Sequence, residues 1–461
     1  MTRKILCAVL MLSMLLLSFA GCQQSAPASQ APDADSEAPS SSEEAEKEGD
    51  EAAESVVLSL TWGDIEEAKV QYWEQYIMDP FVEEHPEVSF DFRNLPNPRD
   101  TLKVEISAGN GPDMFVSDGA DIAYYASSGL IVNMEPYREQ YKWDDLVFEW
   151  AITGCEYNGE MYAMPHGSEA TMLYYNQDLL DEHGWKLPTT REEFVEVCDA
   201  AIAEGIMPIA YGFSGNLDLN QWLYEHYITG VGGKEIYQEL FSGETTFTDE
   251  RIVEAFEAQI ADWNAGYWNQ GNAGAISVEE SRTLWLNEQA LFECEGSWLM
   301  MESIDPDSVP FEWGCTAWPG MSGDRGPAGG IAFGAAIPIT TTAENPDMCA
   351  EFLNYWYSEK ELQAQATAAG LQTLPVEVDD SLYPADMSEG IKKVLSNQNA
   401  IMSAPDYGFG PWAFFPTNCN NYLHDNYDKL LYGTVTLDEF LATAQAELDK
   451  DLEEGFVSAM G

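Results

Sequence analysis

Residues 159–188, GEMYAMPHGSEATMLYYNQDLLDEHGWKLP, contain the signals around which the chain is organised. The stretch opens on the turn dipeptide Asn158-Gly159. Residues 160–165 then alternate between apolar and polar types, as a short strand does. Glu169 stands just before a second apolar run, residues 172–175. This order predicts a turn followed by a buried strand, with the Glu169 carboxylate at the end of that strand.

A carboxylate in this position has a specific chemical use. Glu169 can accept two hydroxyl hydrogen bonds, while nearby aromatic rings cover the C–H face of a sugar. The alternative is that Glu169 is a solvated loop acid, and the chemistry alone leaves the two interpretations even.

A helix is predicted directly after this strand. Asn176 or Asp178 can cap its start, and Gly184 marks its end. Further along, Asp249 is predicted to begin another helix whose apolar face includes Trp263.

Strand and helix patterns also alternate upstream of the opening stretch. Compact apolar runs at residues 56–60, 88–92 and 113–116 predict three strands. Helical patterns lie between them at residues 66–84 and at 100–108, the second capped by Asp100. This β-α-β-α-β order predicts a lobe built on a parallel sheet.

Length and charge limit the domain organisation and the kinds of partner that the chain can have. The 461 residues are 45% hydrophobic, which is ample for a large core and favours two lobes over one domain. The formal net charge is −60, and most of it lies beyond residue 55. Such acidity argues against nucleic acid and anionic membrane surfaces as partners. It allows a neutral ligand and would favour a cationic one.

Cysteines and histidines show no metal-binding spacing. Two cysteines lie in or at the end of the leader. The other six are scattered, which favours free buried thiols: Cys155, Cys198, Cys294, Cys315, Cys349 and Cys419. The five histidines lack a zinc motif, so we expect no metal and no cofactor.

The N-terminus is typical of an exported protein. Residues 1–22 combine Arg3-Lys4 with an apolar core too short for an ordinary transmembrane helix, and they read as a signal peptide. Small residues before Cys22 resemble a bacterial lipobox, in which this cysteine is lipidated. Ordinary cleavage with an incidental cysteine is the alternative. Residues 23–55 are acidic, rich in Ser, Ala, Pro and Glu, and lack aromatics, which predicts a disordered spacer.

Four tryptophans are candidates for stacking on a sugar ring, whose apolar face matches a flat indole. Trp62 ends the first strand, and Trp298 follows Gly296-Ser297 at a strand end. Trp222 and Trp412 lie in aromatic, polar stretches. Core packing is an equal alternative for these last two, because aromatics mostly fill cores.

Other side chains and backbone groups are candidates for gripping hydroxyls. Asp64 and Asp118 stand at predicted strand ends, where open α/β sheets bind ligands. The glycines could bring backbone N–H groups close to a ligand. The full set of these ligand-binding candidates is Asp64, Asp118, Glu169, Asn220, Glu295, Gly329 and Gly330.

The order of several short motifs resembles a known family. The lipobox and acidic spacer precede "AGNGPD", "NGEMYAMP" and "LYYNQDL", and "ALFECEGSW" and then Trp318-Pro319 follow. Together these resemble the extracellular solute-binding proteins of carbohydrate ABC importers. The resemblance covers most of residues 56–461. Within this resemblance, Glu169-Ala170 followed by Tyr175-Asn176 matches a family pattern and strengthens the assignment of Glu169 to the ligand site. The resemblance also makes Trp298 the first candidate for stacking on the sugar.

This resemblance implies a periplasmic-binding-protein-like α/β fold with two lobes, each a mainly parallel sheet flanked by helices and joined by crossing segments. The N-terminal lobe would comprise residues 56–165 and 319–371. The C-terminal lobe would comprise residues 166–318 and 372–461.

The resemblance also implies a function. The chain would be a non-enzymatic lipoprotein that captures a sugar between closing lobes and delivers it to membrane permease subunits. It would be a monomer, anchored through Cys22 to the outer face of the cytoplasmic membrane. A binding protein of the same build for a polyamine or other cation is the alternative, since cations also sit on indole faces. A surface glycosidase fits less well, because no catalytic carboxylate pair emerges. A sensor of the same fold would look identical in sequence.

Overall fold

A computed structural model describes residues 55–63, 67–95, 98–217, 219–323 and 325–456. The predictions for the signal peptide, Cys22, Asp64 and all but the last residue of the spacer fall outside these residues.

The strands of the described chain are short, with one exception of 13 residues. In order they are β1 Val56–Trp62, β2 Val88–Asn94, β3 Met114–Phe115, β4 Glu156–Tyr157, β5 Glu160–Met161, β6 Met164–Asn176, β7 Met207–Ala210, β8 Ala290–Gly296, β9 Trp313–Thr316, β10 Gly330–Ile337 and β11 Gly408–Phe409.

The helices pack around these strands. In order they are α1 Glu67–Trp73, α2 Asp79–Glu84, α3 Pro98–Ser107, α4 Ile122–Ser127, α5 Glu135–Tyr141, α6 Glu149–Thr153, α7 Gln177–His183, α8 Arg191–Ala203, α9 Leu219–Phe241, α10 Glu250–Ala265, α11 Val278–Leu286, α12 Pro346–Ser358, α13 Lys360–Ala368, α14 Glu389–Met402, α15 Pro411–Phe414, α16 Thr417–Leu431 and α17 Leu437–Glu453.

The first three long apolar runs form the predicted parallel sheet. Its order is β2-β1-β3, and β1 pairs in parallel with both neighbours. Leu58 and Leu60 of β1 are fully buried, because helices cover the sheet. The β-α-β-α-β prediction for this region is therefore confirmed.

The larger sheet is organised around β6. Its first half pairs antiparallel with β10, and its second half pairs antiparallel with β8 and β9. Only the β7–β8 and β10–β11 pairs are parallel. The expectation of a mainly parallel sheet is wrong here, since β6 runs against three partners. Isolated bridges also join Met114 of β3 to Ile339, just after β10, and Ser117 to Ala336 of β10.

The opening stretch folds differently from the prediction in one respect. Asn158 and Gly159 both have positive φ, so they form the expected turn, but this turn closes the small hairpin β4–β5. Residues 160–165 are consequently not one strand. β6 starts at Met164 and continues without interruption through the second apolar run to Asn176.

Helix boundaries follow the capping signals in most places. The Asn176 side chain accepts the Leu179 N–H at the start of α7, and Gly184 ends that helix in the left-handed conformation. Asp249 caps α10 as predicted, and Trp263 is buried. Residues 67–84 form a continuous helical run with a π-helical segment, Glu74–Met78, between α1 and α2. α3 begins at Pro98, so Asp100 lies inside the helix and is not its cap.

The six cysteines outside the leader are buried and free, as the sequence favoured. Of the helices that the structure describes, none combines the length and the apolar character that a membrane crossing requires.

Candidate functional site

Glu169 lies at the centre of the candidate site. It sits midway along β6 and is only 6% exposed. Its Oε1 accepts a hydrogen bond of 2.6 Å from Gln372 Nε2, and its Oε2 accepts one of 3.2 Å from Trp412 Nε1. The carboxyl group therefore joins β6 to two segments more than 200 residues away in sequence.

Two glycines make room for this arrangement. Gly167 has φ of +78°, a conformation that glycine adopts easily and other residues rarely do. A Cβ atom there would clash with the Gln372 amide, and one on Gly334 of β10 would clash with the Glu169 carboxyl. Side chains at these two positions would thus separate Glu169 from Gln372.

Three of the predicted tryptophans form one contact group that reaches Glu169 through Trp412, and we call it the tryptophan stack: Trp222, Trp298 and Trp412. The Trp222 and Trp298 ring centroids are 4.9 Å apart. Trp298 meets Trp412 edge to face at 5.8 Å. Trp222 and Trp298 are half-buried, so part of each ring faces solvent. A ligand can therefore reach indole surface beside the Glu169 carboxyl.

Glu295 holds the Trp298 ring of this stack in place. It accepts two hydrogen bonds from Arg282, of 2.7 and 2.8 Å, and one of 3.0 Å from Trp298 Nε1. Its carboxylate is almost fully buried. The bidentate ion pair holds the carboxylate, and the carboxylate fixes the Trp298 ring. Glu295, predicted to grip a hydroxyl, thus accepts hydrogen bonds from Arg282 and Trp298 within the protein.

A second aromatic group lines a cavity together with Glu169, and we call it the tryptophan pocket: Trp62, Trp73 and Trp356 around His166. The His166 ring centroid lies 5.3 Å from Trp62 and 5.2 Å from Trp73. Trp73 lies 6.1 Å from Trp356. These residues line a cavity of about 300 Å³ that Glu169 and Gln372 also line. Trp62 therefore belongs to the site, although not to the stack.

One ion pair closes the edge of the tryptophan pocket. Lys69 donates a 2.7 Å hydrogen bond to the carbonyl of Gly370, and its Nζ lies 3.8 Å from Glu302. Both side chains line the same cavity. Lys69 and Glu302 thus place one positive and one negative group next to Glu169.

Burial controls the ionisation of the central groups. It raises the pKa of Glu169 to about 8, with the Glu302 charge adding to the effect and the Gln372 and Trp412 hydrogen bonds opposing it. Burial also lowers the pKa of His166 to about 4. Near pH 7 the Glu169 carboxyl is mostly protonated and the imidazole is neutral. The site itself carries little net charge, although the chain is strongly acidic.

The remaining predicted residues lie apart from this constellation. Asn220 is fully buried, and its Nδ2 donates a 2.8 Å hydrogen bond to the carbonyl of His424. The Gly330 N–H donates to Thr171, and the Gly329 carbonyl accepts from Gly408. These glycines let β10 pass close to its neighbours. Asp118 is exposed, but its charge contributes to the raised pKa of Glu169.

Sequence reasoning missed several residues of the site. Trp73 and Trp356 lie in helical patterns that predict core, and both are indeed nearly buried. His166 and Gln372 belong to no motif. The signal that was available for His166 is its place three residues before Glu169 in a stretch already chosen as central.

Comparison with known sequences identifies the family. Residues 64–363, well over half of the chain, match the model of the family described as bacterial extracellular solute-binding protein. The chain belongs to this family.

Relatives of this solute-binding protein include three with curated names. The multiple sugar-binding protein of Streptococcus mutans is 23% identical over 62% of this chain and 68% of its own length. A probable sugar-binding periplasmic protein of Rhizobium meliloti is 24% identical over 48% of this chain and 53% of its own. The maltotriose-binding protein of Pyrococcus abyssi is 30% identical, but over only 30% of this chain and 29% of that protein.

Solved structures support the fold of this solute-binding protein. A chitin oligosaccharide binding protein superimposes with a TM-score of 0.74 at 21% identity, covering 86% of this chain and 99% of that one. A raffinose complex of the protein RafE gives a TM-score of 0.63 at 17% identity over 86% and 99%. The predicted two-lobed fold class is confirmed, with the mixed sheet noted above.

Proposed function

We propose that this solute-binding protein captures a sugar or oligosaccharide between its lobes. The observation that carries the proposal is the Glu169 carboxyl, which accepts a hydrogen bond from Trp412 of the tryptophan stack and also lines the tryptophan pocket. The names of the three relatives and two structural neighbours described above, each of which concerns a sugar, support it.

The chemistry of the site fits a polyhydroxylated ring. Half-buried indoles offer flat apolar faces for the C–H surface of the ring. The carboxyl of Glu169, the amide of Gln372 and the imidazole of His166 offer donors and acceptors for its hydroxyl rim. The low net charge at this point suits a neutral solute better than a cation.

We further propose that the protein delivers this solute to the permease subunits of an ABC transporter without altering it chemically. Closure around the solute would let it bind the closed state in preference to the open one. The lobes we propose are residues 56–165 with 319–371, and 166–318 with 372–461. Export as a monomer and lipid attachment through Cys22, on the outer face of the cytoplasmic membrane, complete the proposal.

Calorimetric titration of the full chain, purified in detergent, tests the sugar proposal. The panel would hold gluco-, xylo-, manno- and galacto-oligosaccharides, their monosaccharides, and spermidine and putrescine. We expect micromolar or tighter binding to a sugar, with the sugar recovered intact after prolonged incubation. Binding only to a polyamine would overturn the proposal, and so would shortening of an oligosaccharide.

A further inference from the structure

We propose that the tryptophan pocket receives an N-acetyl group, so that the captured solute is a sugar with an acetamido substituent. This inference rests on the proposed function, because it assumes a sugar beside Glu169. It adds the chemical class of that sugar and assigns a binding role to His166.

The deep wall of the pocket is apolar. It is built from five side chains that are each 9% exposed or less: Trp73, Ile77, Ala335, Trp356 and Leu371. A hydroxyl pushed against the carbon atoms of this wall would lose its hydrogen bonds to water, which is unfavourable. It could regain at most one, from the indole N–H of Trp356, which has no partner within the described part of the chain. A methyl group has no such requirement and gains from burial. The wall therefore favours a substituent that ends in a methyl group.

The imidazole of His166 supplies a polar group beside this wall. His166 is 7% exposed, and Trp62 and Trp73 hold its ring from two sides. Its Nδ1 is buried and has no hydrogen-bond partner among the residues that the structure describes. Buried polar atoms are normally satisfied, and His166 lines the cavity, so a ligand in the cavity can supply the missing partner. An amide N–H is a suitable partner for a neutral imidazole nitrogen.

Donors for the acetyl carbonyl lie around the same cavity. Gln372 Nε2 uses one of its two N–H groups on Glu169, and the Lys69 ammonium lies at the edge. An acetamido group presents an N–H donor, a carbonyl acceptor and a methyl group within a few atoms. The tryptophan pocket contains a complement for each, whereas a bare hydroxyl would use only the polar part.

The direct test compares three trisaccharides that share one β-1,4 linkage. They are built from glucose, from glucosamine and from N-acetylglucosamine, and each is titrated into the full chain. N-acetylgalactosamine and its non-acetylated counterpart extend the test to a second ring. We expect the acetylated sugars to bind at least tenfold more tightly than their matched partners. The amine series separates recognition of the acetyl group from attraction of a cation to an acidic protein.

Two variants locate the preference in the pocket. Ala335→Leu should fill the space for the methyl group, and His166→Gln should remove the imidazole. In each we expect the ratio of acetylated to non-acetylated affinity to fall toward one. His183→Gln, on α7 and outside the cavity, should leave the ratio as in the parent chain. Circular dichroism would verify that each variant is folded before its titration is interpreted.

The outcomes distinguish the two proposals. Equal or tighter binding of the non-acetylated sugars would overturn the acetamido inference and leave the sugar proposal standing. Equal losses for both series in His166→Gln would make that residue structural and would also overturn its assigned role. If no sugar in either panel binds, the proposed function fails and this inference fails with it.

Discussion

The two aromatic groups flank the same carboxyl but are built in different ways. In the tryptophan stack, Trp222 on α9 and Trp298 just after β8 are half-buried, and Trp412 on α15 is buried. An ion pair between Arg282 and the buried Glu295 holds the middle ring. The tryptophan pocket recruits Trp73 and Trp356 from helices, where they are also part of the core. The stack offers ring faces that are partly exposed, whereas the pocket offers a cavity of about 300 Å³ lined by buried side chains. A ligand that uses both is gripped on its face by one and at one substituent by the other.

The largest expected effect concerns the support of the stack. Arg282→Met leaves Glu295 buried without its counter-charge, so we expect the free energy of unfolding to fall by about 3–5 kcal/mol. Urea denaturation measures this loss. Lys392→Met is the matched control, because Lys392 pairs with an exposed Glu389 and should cost about 1 kcal/mol or less. A loss for Arg282→Met as small as that of the control would mean that the pair does not brace the stack.

Removing a stack ring tests the binding role of its exposed face. Trp298→Ala should weaken sugar binding by roughly 2–4 kcal/mol if the ring stacks on the ligand in a closed site. Calorimetric titration with the best sugar of the panel gives this value. Trp263→Phe, a buried change on α10, serves as the control. An unchanged affinity in folded Trp298→Ala protein would remove the stack from the site and leave the pocket alone.

Glu169 belongs to both regions, and its ionisation provides a test of their shared burial. Because the folded state raises its pKa to about 8, the folded protein binds more protons than the unfolded chain between about pH 4.5 and 8. Stability from this group is therefore present below that window and lost as pH rises through it, by up to about 1.4 kcal/mol per pH unit.

Glu169→Gln should abolish this slope. In thermal unfolding without ligand from pH 5.5 to 7.5, the stability of the variant relative to that of the parent chain should increase as pH rises. Glu182→Gln, an exposed change on α7, should run parallel to the parent. Parallel curves for Glu169→Gln as well would mean that the carboxyl is hydrated and is not enclosed by the two regions.

The smallest expected effect concerns Asn220 and tests how far the ligand contacts extend beyond the stack. Asn220 lies two residues from Trp222, yet its amide bonds the carbonyl of His424 in the interior. We expect Asn220→Ala to change sugar affinity by about twofold or less, while stability falls by about 1 kcal/mol. A tenfold loss of affinity in titration would extend the ligand contacts from Trp222 to the first turn of α9.

The contrast between the regions also explains what the sequence revealed. The parallel β-α-β-α-β region and the caps at Asn176 and Asp249 were predictable, because they depend on local patterns. Three members of the stack were found because glycine, proline or polar residues surround each tryptophan. Glu169 stood out by its place before an apolar run.

The pocket could not be found in the same way. Trp73 has the helical spacing of a core residue, and it is both core and pocket wall. Gln372 lies 203 residues from Glu169, so only the folded chain brings their side chains together. The mixed sheet was missed for a related reason: β6 and β10 pair across about 160 residues, and no local pattern encodes the direction of that pairing.

The single long strand β6 has a consequence for how the molecule is assembled. Its first half pairs with residues 330–337, and its second half pairs with β8 and β9, so all of its partners come later in the chain. A fragment that stops before residue 330 would expose the backbone groups of a buried apolar strand, which is a template for aggregation. The pairing of β6 with β10 can therefore form only after residues 330–337 have been synthesised, and we expect a fragment that ends before them to aggregate when expressed alone.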